Sequence, residues 1–190
     1  KLFDFGAGYN YPPPSGPAVY YNTVDRIDFS NETTSAPGNN LPEGVSWGAA
    51  VSSNSYGYYG AGYIPESPYV TNEVIRLDFS SETTSLPTNN LPQARYFVGA
   101  TSSSSYGYFG GGERVPTTPS LDTVDRIDFS NETTSAPGNN LPQGRENLAA
   151  CSSNSYGYFG GGLTPNSPSP VVTRYNTIDR IDFSNETTSA

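Results

Sequence analysis

Histidine and methionine are absent from all 190 residues, and cysteine occurs once. Without histidine, the usual proton shuttle, histidine-based catalytic triads and most zinc sites are excluded. The lone Cys151 can form no disulfide within the chain, so stability has to come from packing and hydrogen bonding. Charge is scarce as well: Asp, Glu, Lys and Arg make up 14% of the residues, against about 25% in ordinary soluble domains. What charge there is leans acidic, with a net of −9, which sets aside a protein that tracks nucleic-acid phosphates. No run approaches the roughly 18 apolar residues of a membrane-spanning helix, and no signal-like segment opens the chain. The missing methionine leads to the expectation of a processed chain or a window of a longer one. No segment has the apolar period of an amphipathic helix.

Aromatic residues, by contrast, reach 13%, with 15 Tyr and 9 Phe, enough adhesive surface to order a chain. Gly and Pro, 20 and 17 residues, stay below the roughly 25–30% of low-complexity disorder. The chain repeats itself. Asp-Phe-Ser begins at Asp28, Asp78, Asp128 and Asp182, and a glycine cluster recurs at Gly6–Gly8, Gly60–Gly62, Gly110–Gly112 and Gly160–Gly162. From each Asp to the next cluster the distance is always 32 residues, while the return segment varies in length. Four copies follow: 1–36 (incomplete), 37–86, 87–136 and 137–190, each with one rigid part. The elastic, Pro-bearing loops are Tyr9–Tyr21, Tyr63–Thr71, Glu113–Leu121 and Leu163–Tyr175.

Within the rigid part, alternation in Val74–Phe79 puts Ile75, Leu77 and Phe79 on one strand face and Val74, Arg76 and Asp78 on the other. A turn and a short Thr-Thr-Ser strand (Thr33–Ser35) follow, then a breaker-rich loop, Pro37-Gly38-Asn39-Asn40-Leu41-Pro42. A third strand is predicted around Trp47–Val51, Phe97–Thr101 and Leu148–Cys151. The fourth, Ser-Tyr-Gly-Tyr-Phe, ends in glycines suited to positive φ or close backbone approach. Four short strands per roughly 50 residues predict an all-β repeat array.

Tyr106-Gly107-Tyr108-Phe109-Gly110-Gly111 resembles the kelch signature, an apolar strand ending in a double glycine. Val124–Asp128 resembles the kelch strand that leads into an Asp-containing turn, and Leu91-Pro92-Gln93-Ala94-Arg95 resembles the segment that opens the next blade. The resemblance implies four-stranded propeller blades and a binding or scaffolding role. The kelch Trp after the Asp turn is absent, and Val45 replaces the Arg in one copy. Both ends read as incomplete blades, so the expectation is an open or longer array, or head-to-tail association, rather than a closed propeller.

Arg26/Asp28, Arg76/Asp78, Arg126/Asp128 and Arg180/Asp182 stand two apart on a strand and therefore share a face. They are expected to form a ladder in which an Arg of one copy meets an Asp of the next. Asp28, Ser30, Asn31 and Glu32 gather oxygen ligands as a calcium loop would, but the spacing is not that of an EF-hand and the second copy has Ser81 in place of Asn31, so an Asx-type turn is the expectation. Asn31, Asn131 and Asn185 open Asn-Glu-Thr sequons and are candidate glycan attachment sites. Tyr56/Tyr58, Tyr106/Tyr108 and Tyr156/Tyr158 share faces and suit packing between copies or a sugar-stacking platform. No catalytic set, cofactor site or metal site emerges. The sequence thus points to a structural or adhesive element of an extracellular fibre, virion or cell surface, partnered by copies of itself, with glycans possible and neither nucleic acid nor membrane insertion. A ligand- or glycan-binding kelch-like propeller using the loops that differ is the alternative.

Overall fold

The strands are short and separated by stretches rich in Gly, Pro, Ser and Asn, and among the described residues there is no helix. The computed structural model describes residues 8–10, 18–87, 89–115, 120–165 and 171–190, and the backbone of 2–4. The first copy supplies β1 (Leu2–Asp4), β2 (Gly8–Asn10), β3 (Val19–Tyr21), β4 (Asp25–Asp28) and β5 (Thr33–Ser35). The second supplies β6 (Ala49–Ser52), β7 (Tyr56–Tyr63), β8 (Val70–Asp78) and β9 (Thr84–Ser85), and the third β10 (Gly99–Ser102), β11 (Tyr106–Gly110), β12 (Val124–Asp128) and β13 (Thr134–Ser135). The last contains β14 (Ala149–Ser152), β15 (Tyr156–Gly160), β16 (Leu163–Pro165), β17 (Val172–Arg174), β18 (Ile178–Asp182) and β19 (Thr188–Ser189).

These strands form small antiparallel sheets, none closed into a barrel. Three have four strands, β6-β7-β8-β9, β10-β11-β12-β13 and β14-β15-β18-β19; β1-β4-β5 has three, and β2-β3 and β16-β17 are hairpins. The four-stranded sheets share one register: Tyr56 pairs with Asp78, Tyr106 with Asp128 and Tyr156 with Asp182. In the first sheet Phe3 pairs with Arg26 as Tyr58 pairs with Arg76. That register is one residue away from the alignment implied by the first glycine cluster, of which only Gly8 is described, as the first residue of β2. The third strand of each unit starts later than alternation predicts, at Ala49, Gly99 and Ala149. Trp47 and Phe97, expected to open it, and Asn147, just ahead of the expected Leu148, hold φ of 57, 58 and 57°, outside the β region. Parts of the first, third and fourth elastic loops lie outside the described residues.

The core lies between consecutive sheets, in three layers. Val24, Leu41, Val45, Tyr59, Ile75 and Leu77 fill the first layer; Val51, Tyr58, Val74, Leu91, Phe109 and Ile127 belong to the second; Tyr108, Val124, Leu141, Leu148, Phe159 and Ile181 make the third. A central strand such as β8 is therefore buried on both faces, Val74 toward one layer and Ile75 and Leu77 toward the other. Each fully buried ring or branched side chain contributes about 1.5–3 kcal/mol. The glycines let the sheets approach: a Cβ on Gly110 would stand 2.7 Å from the Phe159 ring.

Two ion pairs lie inside these layers. Arg95 Nη2 reaches Asp125 Oδ2 at 2.8 Å, with side-chain exposures of 0 and 1%, and also donates to the carbonyl of Phe109 at 2.9 Å, while Nη1 donates to that of Thr123 at 3.0 Å. Arg145 pairs with Asp179 in the same way and donates to Gly161 and Thr177. Burial lifts the Asp125 carboxyl above the ordinary range, and the facing Arg95 pulls it back down. Asp125 and Asp179 went unnoticed in the sequence.

Candidate functional site: the aromatic end

Seven rings gather at one end of the stacked sheets, around the only tryptophan. Trp47 lies 4.7 Å (ring centroids) from Tyr9, 5.4 Å from Tyr63, 5.8 Å from Tyr96 and 4.7 Å from Phe97. Tyr63 extends the patch to Tyr20 at 6.0 Å and Tyr69 at 6.1 Å, both stacked. The rings come from segments far apart in sequence: Tyr9 and Tyr20 from β2 and β3, Tyr63 from the end of β7, Tyr69 from the loop before β8, and the rest from the approaches to β6 and β10. The patch is partly open to solvent, Tyr9 at 36% and Tyr69 at 44% exposure.

Backbone conformation holds this arrangement. Phe97 N donates to Trp47 O at 2.8 Å, and Asn147 N donates to Phe97 O at 2.9 Å, so the three left-handed residues run in one hydrogen-bonded row from sheet to sheet. Asn adopts this conformation readily; bulky aromatic residues do so at a cost of the order of 1–3 kcal/mol. In the Trp47 and Phe97 copies the row thus keeps large rings where a small polar residue fits better.

Beside the rings stands a carboxyl pair. Tyr96 donates its hydroxyl to Glu113 Oε2 at 2.9 Å, and Ser120 donates to Glu146 Oε2 at 3.3 Å. Glu146 is 5% exposed. Burial first, then a hydrogen bond and charge repulsion from Glu113, push its carboxyl up to about 7. Burial and the Glu113 carboxylate push the Tyr96 hydroxyl up as well, so it remains a donor. With its carboxyl raised, Glu146 beside Glu113 can donate as well as accept. The corresponding residues differ in every copy: Ser46, Tyr96 and Glu146 are equivalent, as are Tyr63, Glu113 and Leu163.

The expected ladder exists between units, but with a different acid. Arg26 pairs with Glu82 at 2.5 Å, Arg76 with Glu132 at 2.9 Å and Arg126 with Glu186 at 2.8 Å; none of these arginines reaches the Asp of the next unit. Asp28, Asp78, Asp128 and Asp182 instead accept from the backbone N and hydroxyl of the serine two residues on. These local bonds hold the carboxyls of Asp78, Asp128 and Asp182 below the usual range. The Asp competes for its own turn, and the left-handed Glu four residues later faces the neighbour. Arg180 lies 4.6 Å over the ring of Tyr156.

Asn31, Asn131 and Asn185 lie on exposed turns, each Oδ1 accepting from the N and hydroxyl of the Thr two residues on. The Asp28–Glu32 group is therefore an Asx-type turn, and no group of three or more acids gathers as a metal site among the described residues. Of the paired tyrosines, Tyr58 and Tyr108 belong to the core, stacking on Phe129 at 5.3 Å and on Phe183 at 5.4 Å, while the equivalent Tyr158 is only half-buried. At the opposite end of the sheets, a depression of about 460 Å³ is lined by Ser103, Ser105, Asn154, Ser155 and Asp182. Its counterpart recurs at Asn54, Ser55 and Asp78, so it is a feature of the repeat and not of one site.

No family model matches the chain, and no curated protein matches it. Among solved structures it is similar to that of YjhT, with a TM-score of 0.74 and 14% identity over 96% of this chain. The chain covers 65% of the length of YjhT. The likeness is one of fold.

Proposed function

We propose that this chain is a non-catalytic, kelch-like array of propeller blades that works by binding, and that its aromatic end takes a saccharide. One observation carries the reading: the ring patch and its carboxyl pair are built from positions at which the copies differ, Ser46, Tyr96 and Glu146 at one and Tyr63, Glu113 and Leu163 at another, whereas the Asp-Phe-Ser turns are alike in every copy. Partly exposed rings offer flat faces to the C–H surface of a sugar. The carboxyls of Glu113 and Glu146, with the hydroxyls of Tyr96 and Ser120 beside them, match a ligand rich in hydroxyls. The backbone cost of placing Trp47 and Phe97 agrees with selection for a surface rather than for packing. The reading includes an extracellular setting, in which Asn31, Asn131 and Asn185 carry N-linked sugars.

Trp47 is a built-in reporter, being the only tryptophan. Titration with cellohexaose, xylohexaose and chitohexaose is expected to shift its emission saturably for at least one of them, and Tyr63→Ser to weaken that binding about tenfold or more. Unchanged emission with all three at millimolar concentration would sink the proposal.

A further inference from the structure

The contact between neighbouring units follows one rule, and the last sheet displays half of it uncovered. In the second and third units the giving face carries a Tyr and an Arg on adjacent strands; the face that receives it carries a Phe, a Glu and a glycine. Tyr58 stacks on Phe129 and donates to Glu132 at 3.1 Å, while Arg76 pairs with the same Glu132. Tyr108 repeats this with Phe183 and Glu186, and Arg126 with Glu186. A small residue of the giving face meets the receiving glycine. A Cβ on Gly107 would lie 2.4 Å from Val51 Cγ2, and one on Gly157 2.5 Å from Thr101 Cγ2.

In the last unit the equivalent giving residues are Tyr158, Arg180 and Cys151. None has its receiving partner among the described residues, and Cys151 is exposed. The loss of cover is plain at one position: Val74 and Val124 are 0% exposed, and the equivalent Ile178 is 62% exposed. The chain's own first sheet is a poor match for this face. It has the Phe and Glu, Phe29 and Glu32, but leucine, not glycine, pairs with the strand isoleucine, as Leu2 with Ile27.

We infer that the β14-β15-β18-β19 face is a docking surface for one further complete unit of this same repeat, whose Asp-Phe-Ser-x-Glu turn supplies Phe to Tyr158 and Glu to Arg180. The occupant is defined by continuity with two interfaces already in the molecule and by charge: an uncovered guanidinium and phenol meet an incoming carboxylate. This does not depend on saccharide binding at the other end.

Cys151 tests it, since a thiol covered by a neighbour is modified only when the contact opens. One added unit is supplied by repeating residues 137–190 after Ala190, with the repeat's own cysteine changed to valine; a second chain instead repeats residues 87–136. In at least one extended chain, modification of Cys151 by a thiol reagent is expected to slow about tenfold or more relative to the 190-residue chain. Arg180→Ala is then expected to restore part of the rate there and to leave the rate of the 190-residue chain unchanged. Equal rates in the parent and both extended chains overturn the inference. So does concentration-dependent protection of Cys151 in the 190-residue chain with dimers in sedimentation, since a second copy would then be the occupant.

Discussion

Arg95 and Asp125 face each other at 2.8 Å with almost no exposure, at the positions that Val45 and Ile75 fill one unit earlier in the same kind of apolar layer. The two solutions, ionic and apolar, stand side by side on one backbone. Removing one charge leaves the other buried and unpaired, a loss of about 3–5 kcal/mol; replacing both with a well-packed apolar pair is often neutral or stabilising. Arg95→Val alone and Asp125→Ile alone are therefore expected to destabilise by about 3–5 kcal/mol. The double variant is expected to lie within about 1 kcal/mol of the parent in urea denaturation. A double variant as unstable as the sum of the singles would show that the pair is needed as such.

This pair also marks how far the sequence could be read. The exchange was written in the copies: Val45 with Ile75, Arg95 with Asp125, Arg145 with Asp179. The Val-to-Arg exchange alone does not identify the partner; the matching exchange of Ile75 for Asp125 does. The sheets were legible because alternation and breakers are local and recur every 50 residues or so. The ladder's acid was not, since which turn residue faces the next unit depends on the offset between sheets. Asp-x-Ser nevertheless signals an Asx turn that occupies the Asp. The aromatic end had no local signature; its rings come from β2, β3, β7 and three loops and meet only after the sheets stack.

Glu132 accepts from both Arg76 and Tyr58, whereas Glu32 has the same backbone conformation, φ 57 against 58°, and no such donors among the described residues. Glu132→Ala is expected to cost about 1–3 kcal/mol by orphaning the two donors. Glu32→Ala is expected to stay within about 0.5 kcal/mol of the parent. In a chain of this size the difference reads as about 2–4 °C of melting temperature per kcal/mol. Equal melting temperatures would mean that the inter-unit contacts are only solvated charges.

Gly110 and Gly160 are equivalent, yet only one faces a ring of a following unit. A Cβ on Gly110 meets Phe159 at 2.7 Å, while one on Gly160 finds its nearest neighbour, Ile178 Cγ1, at 3.8 Å. Gly110→Ala is expected to cost about 1–3 kcal/mol through overpacking. Gly160→Ala is expected to be neutral or to stabilise by up to about 1 kcal/mol by restricting the unfolded chain. Similar losses for both in denaturant unfolding would disprove close approach of the sheets as the reason for the glycine.

The carboxyl pair gives stability a pH dependence opposite to that of the turn aspartates. Glu146 is raised from an ordinary 4.5 to about 7, so between those values the folded chain holds a proton that the unfolded chain has released. Folding is then favoured by this group at low pH, and the contribution is lost as pH rises through 7. Asp78, Asp128 and Asp182 are lowered, and their contribution is present above the unfolded carboxylate range and lost only as pH falls below it. Between pH 5 and 8 the largest part of the slope therefore belongs to Glu146; Glu43 and Asp125 are raised too and act in the same direction. Glu146→Gln keeps the neutral shape and cannot ionise. Melting temperature is expected to fall by several degrees from pH 5 to 8 in the parent and to fall less in the variant, the two curves separating as pH rises from 5 toward 7 and running parallel beyond it, with the variant the more stable. Parallel curves between pH 5 and 7 would mean that burial beside Glu113 does not hold the Glu146 proton, and the hydrogen-bonding half of the proposed saccharide site would go with it.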